Sequence, residues 1–220
     1  MAATAVRYLR SVGAATAAGP APVDPLPRPD LRAVADDERA PVDPAEFRRV
    51  LGHFASGVTI VTAHDPADDV GGPAGFACQS FASLSLDPPL VAFMVARTST
   101  TWPRIARAGV FCVNVLGAGQ GELCRGFAVS GADKFAGVMY TAAPATGSPL
   151  LDGVPAWIDC HVHAVHTGGD HLIVVGRVEA LGAVEPTDTD TDADADGGGT
   201  ADGPLLFHRG RFGRFGPLTG

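Results

Sequence analysis

A chain of 220 residues with 46% hydrophobic and 18% charged side chains is globular, and its 28 Gly and 18 Pro put much of it into turns and argue against a long helical bundle. The net charge of −8 is concentrated between Glu185 and Gly203, where there is no Lys or Arg, so the rest is nearly neutral and lacks the basic stripe of a nucleic-acid surface. No apolar run approaches the ~20 residues that cross a bilayer, and the N-terminus carries Arg7 and Arg10 without an apolar signal core, so the expected location is the cytoplasm, with no membrane partner.

In chain order, residues 1–43 are rich in Ala, Pro and charge, with Tyr8 as their only aromatic, and are expected to form a disordered arm. Asp43-Pro44-Ala45-Glu46 then opens a helix, and Phe47, Val50, Leu51 and Phe54 follow at the spacing of one apolar face. Short β-branched or aromatic runs come next: Val58 to Thr62, Phe76 to Ser83, Leu90 to Val95, Phe111 to Leu116, Trp157 to Val165, Leu172 to Val178 and Leu205 to His208. Such a series predicts a mainly β barrel or sandwich. Helical patterns recur only around Trp102 to Arg107 and Gly121 to Phe127. The repeated Thr-Asp and Ala-Asp pairs of 186–203 predict a disordered acidic insertion, interrupting a single domain over 44–216. Cys78, Cys112, Cys124 and Cys160 are far apart, without a C-x-x-C pair, and are expected to be small apolar core residues.

Several motifs compete for a chemical role. Gly117-Ala118-Gly119-Gln120-Gly121 follows a strand and precedes a helix, but its third Gly comes one position too early for a dinucleotide fingerprint, so a turn is expected. His161, His163, His166 and His171 have metal-like spacing, yet only Asp159 and Cys160 stand nearby to complete a shell, and no metal is expected. Gly75 to Ser85 sets small residues and hydroxyls along one strand, against which a flat ligand can lie. Arg97-Thr98-Ser99-Thr100-Thr101 then gathers hydroxyls and a guanidinium ahead of a helix, a combination suited either to a phosphate or to plain helix capping. A flat-ligand strand followed by such a cup is the layout a flavin nucleotide needs. Gly168-Gly169-Asp170-His171 is hairpin-turn chemistry that also brings a histidine to a tip.

Taken together, Phe47 to Phe54, Gly57-Val58-Thr59, Gly75 to Leu90, Phe111 to Leu116, Asp133-Lys134-Phe135, Gly169-Asp170-His171 and Pro204 to Gly210 resemble the flavin reductase components of two-component flavin-dependent monooxygenases. The resemblance covers nearly all of the core, in order. It implies an FMN-binding split β-barrel of Greek-key type, acting as a homodimer and passing reduced flavin to a separate oxygenase component. By position, it implies that Phe76, Ala77, Gln79, Ser80 and Phe81 line the flavin ring. Arg97, Ser99, Thr100 and Thr101 would hold the phosphate, Lys134 and Phe135 would border the pocket, and Asp170 would accompany His171, the catalytic residue, where the nicotinamide arrives. The cofactors implied are FMN or FAD, with NADH or NADPH as hydride source. Many relatives carry Thr or Ser where Ala77 and Gln79 stand. Two other readings remain open at this point: an FMN-bound oxidase of the same barrel, and a non-catalytic flavin-binding module.

Overall fold

The computed structural model describes residues 42–64, 72–131, 133–184 and 203–216. The arm expected over 1–43, but for its last two residues, and the insertion expected over 186–203, but for its last, lie outside the described residues. The Asp43 carboxylate accepts from the N–H groups of Ala45 and Glu46, each at 2.9 Å, and starts helix α1 (Pro44–Leu51) with Pro44 in its first turn. Then follow β1 (Ser56–Gly57), β2 (Thr59–Ala63), β3 (Ala74–Cys78), β4 (Ala82–Leu86) and β5 (Pro89–Ala96). Helix α2 (Trp102–Ala108), β6 (Val110–Val115) and α3 (Gly121–Ala128) come next. The chain continues with β7 (Tyr140–Ala142), β8 (Pro149–Leu151), β9 (Ala156–Gly168), β10 (His171–Ala183), β11 (Leu205–His208) and β12 (Arg211–Arg214). The mainly β class agrees with the sequence reading.

Seven strands form one antiparallel sheet in the order β3-β2-β6-β9-β10-β5-β4. Its two edge strands, β3 and β4, are consecutive in the chain and joined only by Gln79, Ser80 and Phe81. Laid flat, six gaps of ~4.8 Å would part those edges by ~29 Å, whereas four extended Cα steps reach only ~14 Å. The sheet is therefore strongly curled. Phe76 to Ser83, expected as one strand, is in fact two, because the chain changes partners at the link, leaving β2 and joining β5. At the bend the Ser80 hydroxyl accepts from Met94 N–H at 2.9 Å and donates to Met94 C=O at 3.0 Å. Ala82 pairs with Ala92, so this hydroxyl occupies the next step of the same ladder, where the main chain has turned away. The sheet is curled without a ladder between β3 and β4, among the described residues.

Inside the curl Phe93 meets Phe111, Trp102 and Phe76 at ring-centroid distances of 5.3, 6.2 and 5.9 Å, with Val61, Ile105 and Val174 packed around them. On the other face of β2 and β6, Ile60, Leu116, Cys124, Phe127, Leu151 and Leu205 form a second cluster. With both faces covered, every residue of β2 is buried. The short hairpin of β7 and β8 carries no sequence signal, since two three-residue runs are too brief for a period. Buried polar side chains hold it: Asn114 Oδ1 accepts from Leu151 N–H at 2.8 Å, and the Asp159 carboxylate accepts from the N–H groups of Ala145 and Thr146 at 2.9 and 3.0 Å. The Gly117 to Gly121 run is a turn. Gln120 Oε1 accepts from Gly117 N–H, and Ala118 N–H donates to Gly203 C=O, tying the end of β6 to the start of β11.

The four cysteines are free and buried. Burial, reinforced by the charge of Asp159, pushes the Cys112 thiol up to about 12 and drives that of Cys160 upward as well. Helix α1 forms as expected, and among the described residues its apolar face is left open, Phe47, Val50 and Leu51 being 55%, 50% and 55% exposed.

Gly176 sits at a bulge of β10, where a Cβ would lie 2.3 Å from Phe111 Cζ. Gly176→Ala is therefore expected to cost ~1–3 kcal/mol by overpacking. Chemical denaturation checks this, and an unchanged midpoint would show that the Phe111 ring yields.

Candidate active site

The bend at Gln79–Phe81 opens one side of the curled sheet into a cleft of ≈ 710 Å³. Phe76, Ala77 and Cys78 of β3, with Gln79 and Ser80 of the link, form one wall. Met94, Val95 and Ala96 of β5 form another. The loop before α2 adds Thr98, Ser99, Thr100 and Thr101, the end of α3 adds Phe127, Ala128 and Ser130, and Lys134, Gly168 and His171 complete the lining. Apolar strand surface thus faces a concentration of hydroxyls and one ammonium.

Local chemistry fixes these groups. Ser99 Oγ accepts from Trp102 N–H at 3.1 Å, as a helix cap does, so its own proton remains to be donated. Lys134 Nζ donates to Gly75 C=O at 3.1 Å and to Phe127 C=O at 3.0 Å, bridging β3 to the last turn of α3. Burial pushes its pKa down, its partners being carbonyls. Gly75 is required beside it, since a Cβ there would lie 2.7 Å from the Phe127 ring. At the tip of the β9–β10 hairpin, Gly169 takes a positive φ of 72° and Asp170 Oδ1 lies 2.8 Å from His171 Nδ1. Hydrogen bonding to His171, then its charge, holds the exposed Asp170 carboxyl below the usual carboxylate range.

Of the residues singled out from sequence, Phe76, Ala77, Gln79, Ser80, Ser99, Thr100, Thr101, Lys134 and His171 meet around this cleft. Phe81 packs against the inner core instead. Arg97 is not in the lining; its N–H donates to Asp170 C=O at 3.0 Å and seats the hairpin tip against the end of β5. Asp170 reaches the cleft only through His171. Phe135 lines a second cavity of ≈ 340 Å³ that shares Thr100, Thr101 and Lys134 with the first. Sequence reasoning passed over Met94, Phe127, Ala128 and Ser130, which reach the cleft through tertiary packing and have no local motif. Thr98 was legible beside its neighbours. Among the described residues no three His, Cys, Asp or Glu side chains gather as a metal site, and His161 lies 3.5 Å from Glu179 instead. No helix among the described residues is long and apolar enough to cross a membrane.

Residues 51–216 match the family model described as the flavin reductase like domain. The chain belongs to the flavin reductase family. The reductase is 45% identical over 187 residues to a flavin reductase of Pseudomonas putida, covering 85% of this chain and 99% of that protein. It is 46% identical over 171 residues to HsaB, the reductase subunit of a flavin-dependent monooxygenase of Rhodococcus jostii, covering 78% of this chain and 77% of the other. Among solved structures, it is similar to nitrilotriacetate monooxygenase component B from Mycobacterium thermoresistibile, with TM-score 0.68, 44% identity, and 80% and 88% of the two chains covered. The NADH:FAD oxidoreductase of Streptomyces globisporus, solved with NAD and FAD fragments, superposes with TM-score 0.67 at 34% identity over 83% of this chain and all of that one.

The Asp170–His171 pair yields a test of this geometry. A depressed carboxyl pKa means that Asp170 keeps its charge as pH falls through the ordinary carboxylate range and is protonated only below it. A carboxyl-carbon NMR titration is expected to give a midpoint below that of an unperturbed Asp, and His171→Ala to return it upward. Coinciding curves for the two proteins would show that the pair does not form in solution.

Proposed function

We propose that the ≈ 710 Å³ cleft is a flavin site, with β3 and its link beside the ring system and the hydroxyl loop at the phosphorylated tail. The observation that carries this is convergence: strand, loop, lysine and hairpin residues far apart in sequence line one cavity, apolar along the strands and rich in donors at Thr98–Thr101. Its volume lies within the ~300–1,000 Å³ of ligand pockets, and a flat aromatic system with a phosphate tail suits that mixture of surfaces. The protein is an NAD(P)H-dependent flavin reductase. Bound flavin supplies the hydride acceptor for a reduced nicotinamide, and two-electron-reduced flavin then leaves for a separate monooxygenase component.

The chain's own residues bind and orient. Ser80 locks the link onto Met94, so the main chain of Gln79 and Ser80 is presented rigidly to the cleft. With Arg97 outside the lining, the phosphate falls to the hydroxyls of Ser99, Thr100 and Thr101 and to Lys134. Ser99 contributes a proton already directed away from the helix cap, and Lys134 is held in place by two carbonyls. His171 has Nδ1 committed to Asp170, leaving Nε2 as the nitrogen that meets the arriving nicotinamide. Direct hydride transfer asks for two rings held in register, not for an acid–base pair.

The same reading extends to architecture and assembly. The curl around one three-residue link supports a split β-barrel of Greek-key type. The apolar face of α1, which no described residue covers, together with exposed Leu84 and Leu86 on edge strand β4, supports a homodimer in which a second copy buries apolar surface. Four free cysteines agree with a reducing cytoplasm.

The purified protein is expected to oxidise NADH or NADPH, followed by nicotinamide absorbance, only when free FMN or FAD is supplied. If both nicotinamides survive with either flavin, the reading is wrong. His171→Ala is expected to raise the nicotinamide KM or slow flavin reduction about tenfold while flavin affinity stays within about threefold, because the residue contacts the cleft from the hairpin tip. Stopped-flow reduction and flavin titration separate the two, and loss of flavin binding would move His171 to the flavin-holding residues.

A further inference from the structure

Among the described residues the sulfur-containing side chains fall into two groups. Cys78, Cys112, Cys124 and Cys160 are buried, and raised pKa values hold their thiols protonated. Met94 and Met139 are thioethers, with no proton to hold, and are 43% and 71% exposed. Met94 lines the cleft, whereas Met139 does not.

The strand explains why the sulfur of Met94 stands open. Along β5, Val91, Phe93 and Val95 turn into the core, so Ala92, Met94 and Ala96 share the other face. The flanking side chains on that face are single methyl groups, too short to cover a methionine. The main chain of Met94 is enclosed, its N–H and C=O both bonded to Ser80 Oγ and Ile173 of β10 lying opposite, so the exposed part of the residue is its side chain. His171 pairs with Ala96, two residues further along the same face. Met94 therefore stands between the Gln79–Phe81 link and the hairpin tip. On the flavin reading above, on which this inference rests, that position is beside the ring system.

Flavin reduction itself supplies an oxidant. When no oxygenase takes the reduced flavin, dioxygen accepts its two electrons and two protons and becomes hydrogen peroxide. A thioether reacts with peroxide without first losing a proton, so what shields the cysteines does not shield Met94. One peroxide oxygen bonds to the sulfur as the O–O bond breaks, the sulfur loses two electrons, and the other oxygen leaves as water with both hydrogens. The product is methionine sulfoxide, polar where the thioether was apolar, and methionine sulfoxide reductases return it to methionine.

We propose that Met94 is a peroxide-responsive modification site: its oxidation sets a sulfoxide against the flavin ring and lowers flavin affinity, so that the reductase is restrained when its product goes unused and is restored when the sulfoxide is reduced.

Treating the flavin-free, full-length protein with graded hydrogen peroxide, then measuring peptide masses and titrating with FMN and with FAD, tests the assignment without relying on turnover. Gain of one oxygen is expected at Met94 and at Met139, with flavin affinity falling about tenfold as Met94 converts, because a polar oxygen then meets an apolar ring without a partner. Met139→Leu is expected to lose affinity on treatment as the wild type does. Met94→Leu, compared with its own untreated sample, is expected to keep its affinity within about twofold. Methionine sulfoxide reductases A and B together are expected to restore the treated wild type. Met94 left unoxidised where Met139 is fully converted would overturn the proposal, and so would full conversion of Met94 with flavin affinity unchanged. An equal loss in treated Met94→Leu would overturn it too, by assigning the effect to another residue. Failure of the untreated wild type to bind either flavin would instead bring down the flavin reading itself.

Discussion

A single covalent constraint governs the shape of this protein: three residues, Gln79 to Phe81, must connect the two outermost strands of a seven-stranded sheet. Hydrogen bonding between neighbours sets the strand spacing and the link sets the distance between the edges, so the sheet can satisfy both only by curling. The Ser80 hydroxyl makes the bend tolerable, because it supplies to Met94 both a donor and an acceptor at the step where the main chain no longer can. The cleft is the space left where the ladder gives way.

Curling also decides what fills the interior. The concave side is narrow, and Phe93 and Phe111 occupy it edge to face, with Gly176 opposite Phe111. The convex side of β2 and β6 is capped by α3, by β8 and by β11, so a small domain gains two apolar clusters from one sheet. Polar residues inside this arrangement serve as pins. Asn114 donates to Ile60 C=O and to Thr62 Oγ1 while accepting from Leu151 N–H, and a hydrophobic residue in its place would orphan that amide.

Much of this was legible in the sequence. Asp43-Pro44 announced α1, the runs from Trp157 and Leu172 with Gly168-Gly169-Asp170 between them announced the β9–β10 hairpin, and small residues with hydroxyls from Gly75 onward marked the wall of the cleft. What could not be read were partner choices. Phe76 to Ser83 has the composition of one strand, and no local signal says that its halves belong to opposite edges. Arg97 looks like a phosphate ligand beside the hydroxyls that follow it, yet its main chain binds Asp170 C=O and it is not among the residues lining the cleft. Phe127 and Ser130 enter the site only because α3 folds back over β3. The apolar stripe of α1 shows the converse limit, since periodicity reveals that a face is to be covered without saying which molecule covers it.

The state of the sulfur atoms has a consequence for durability. Reduced flavin released near dioxygen generates peroxide, and peroxide attacks thiolates far faster than thiols. All four cysteines are buried and their pKa values are raised, including that of Cys78 in the wall of the cleft. The protein thus carries its cysteine thiols in protonated, solvent-shielded form, and repeated turnover need not consume them.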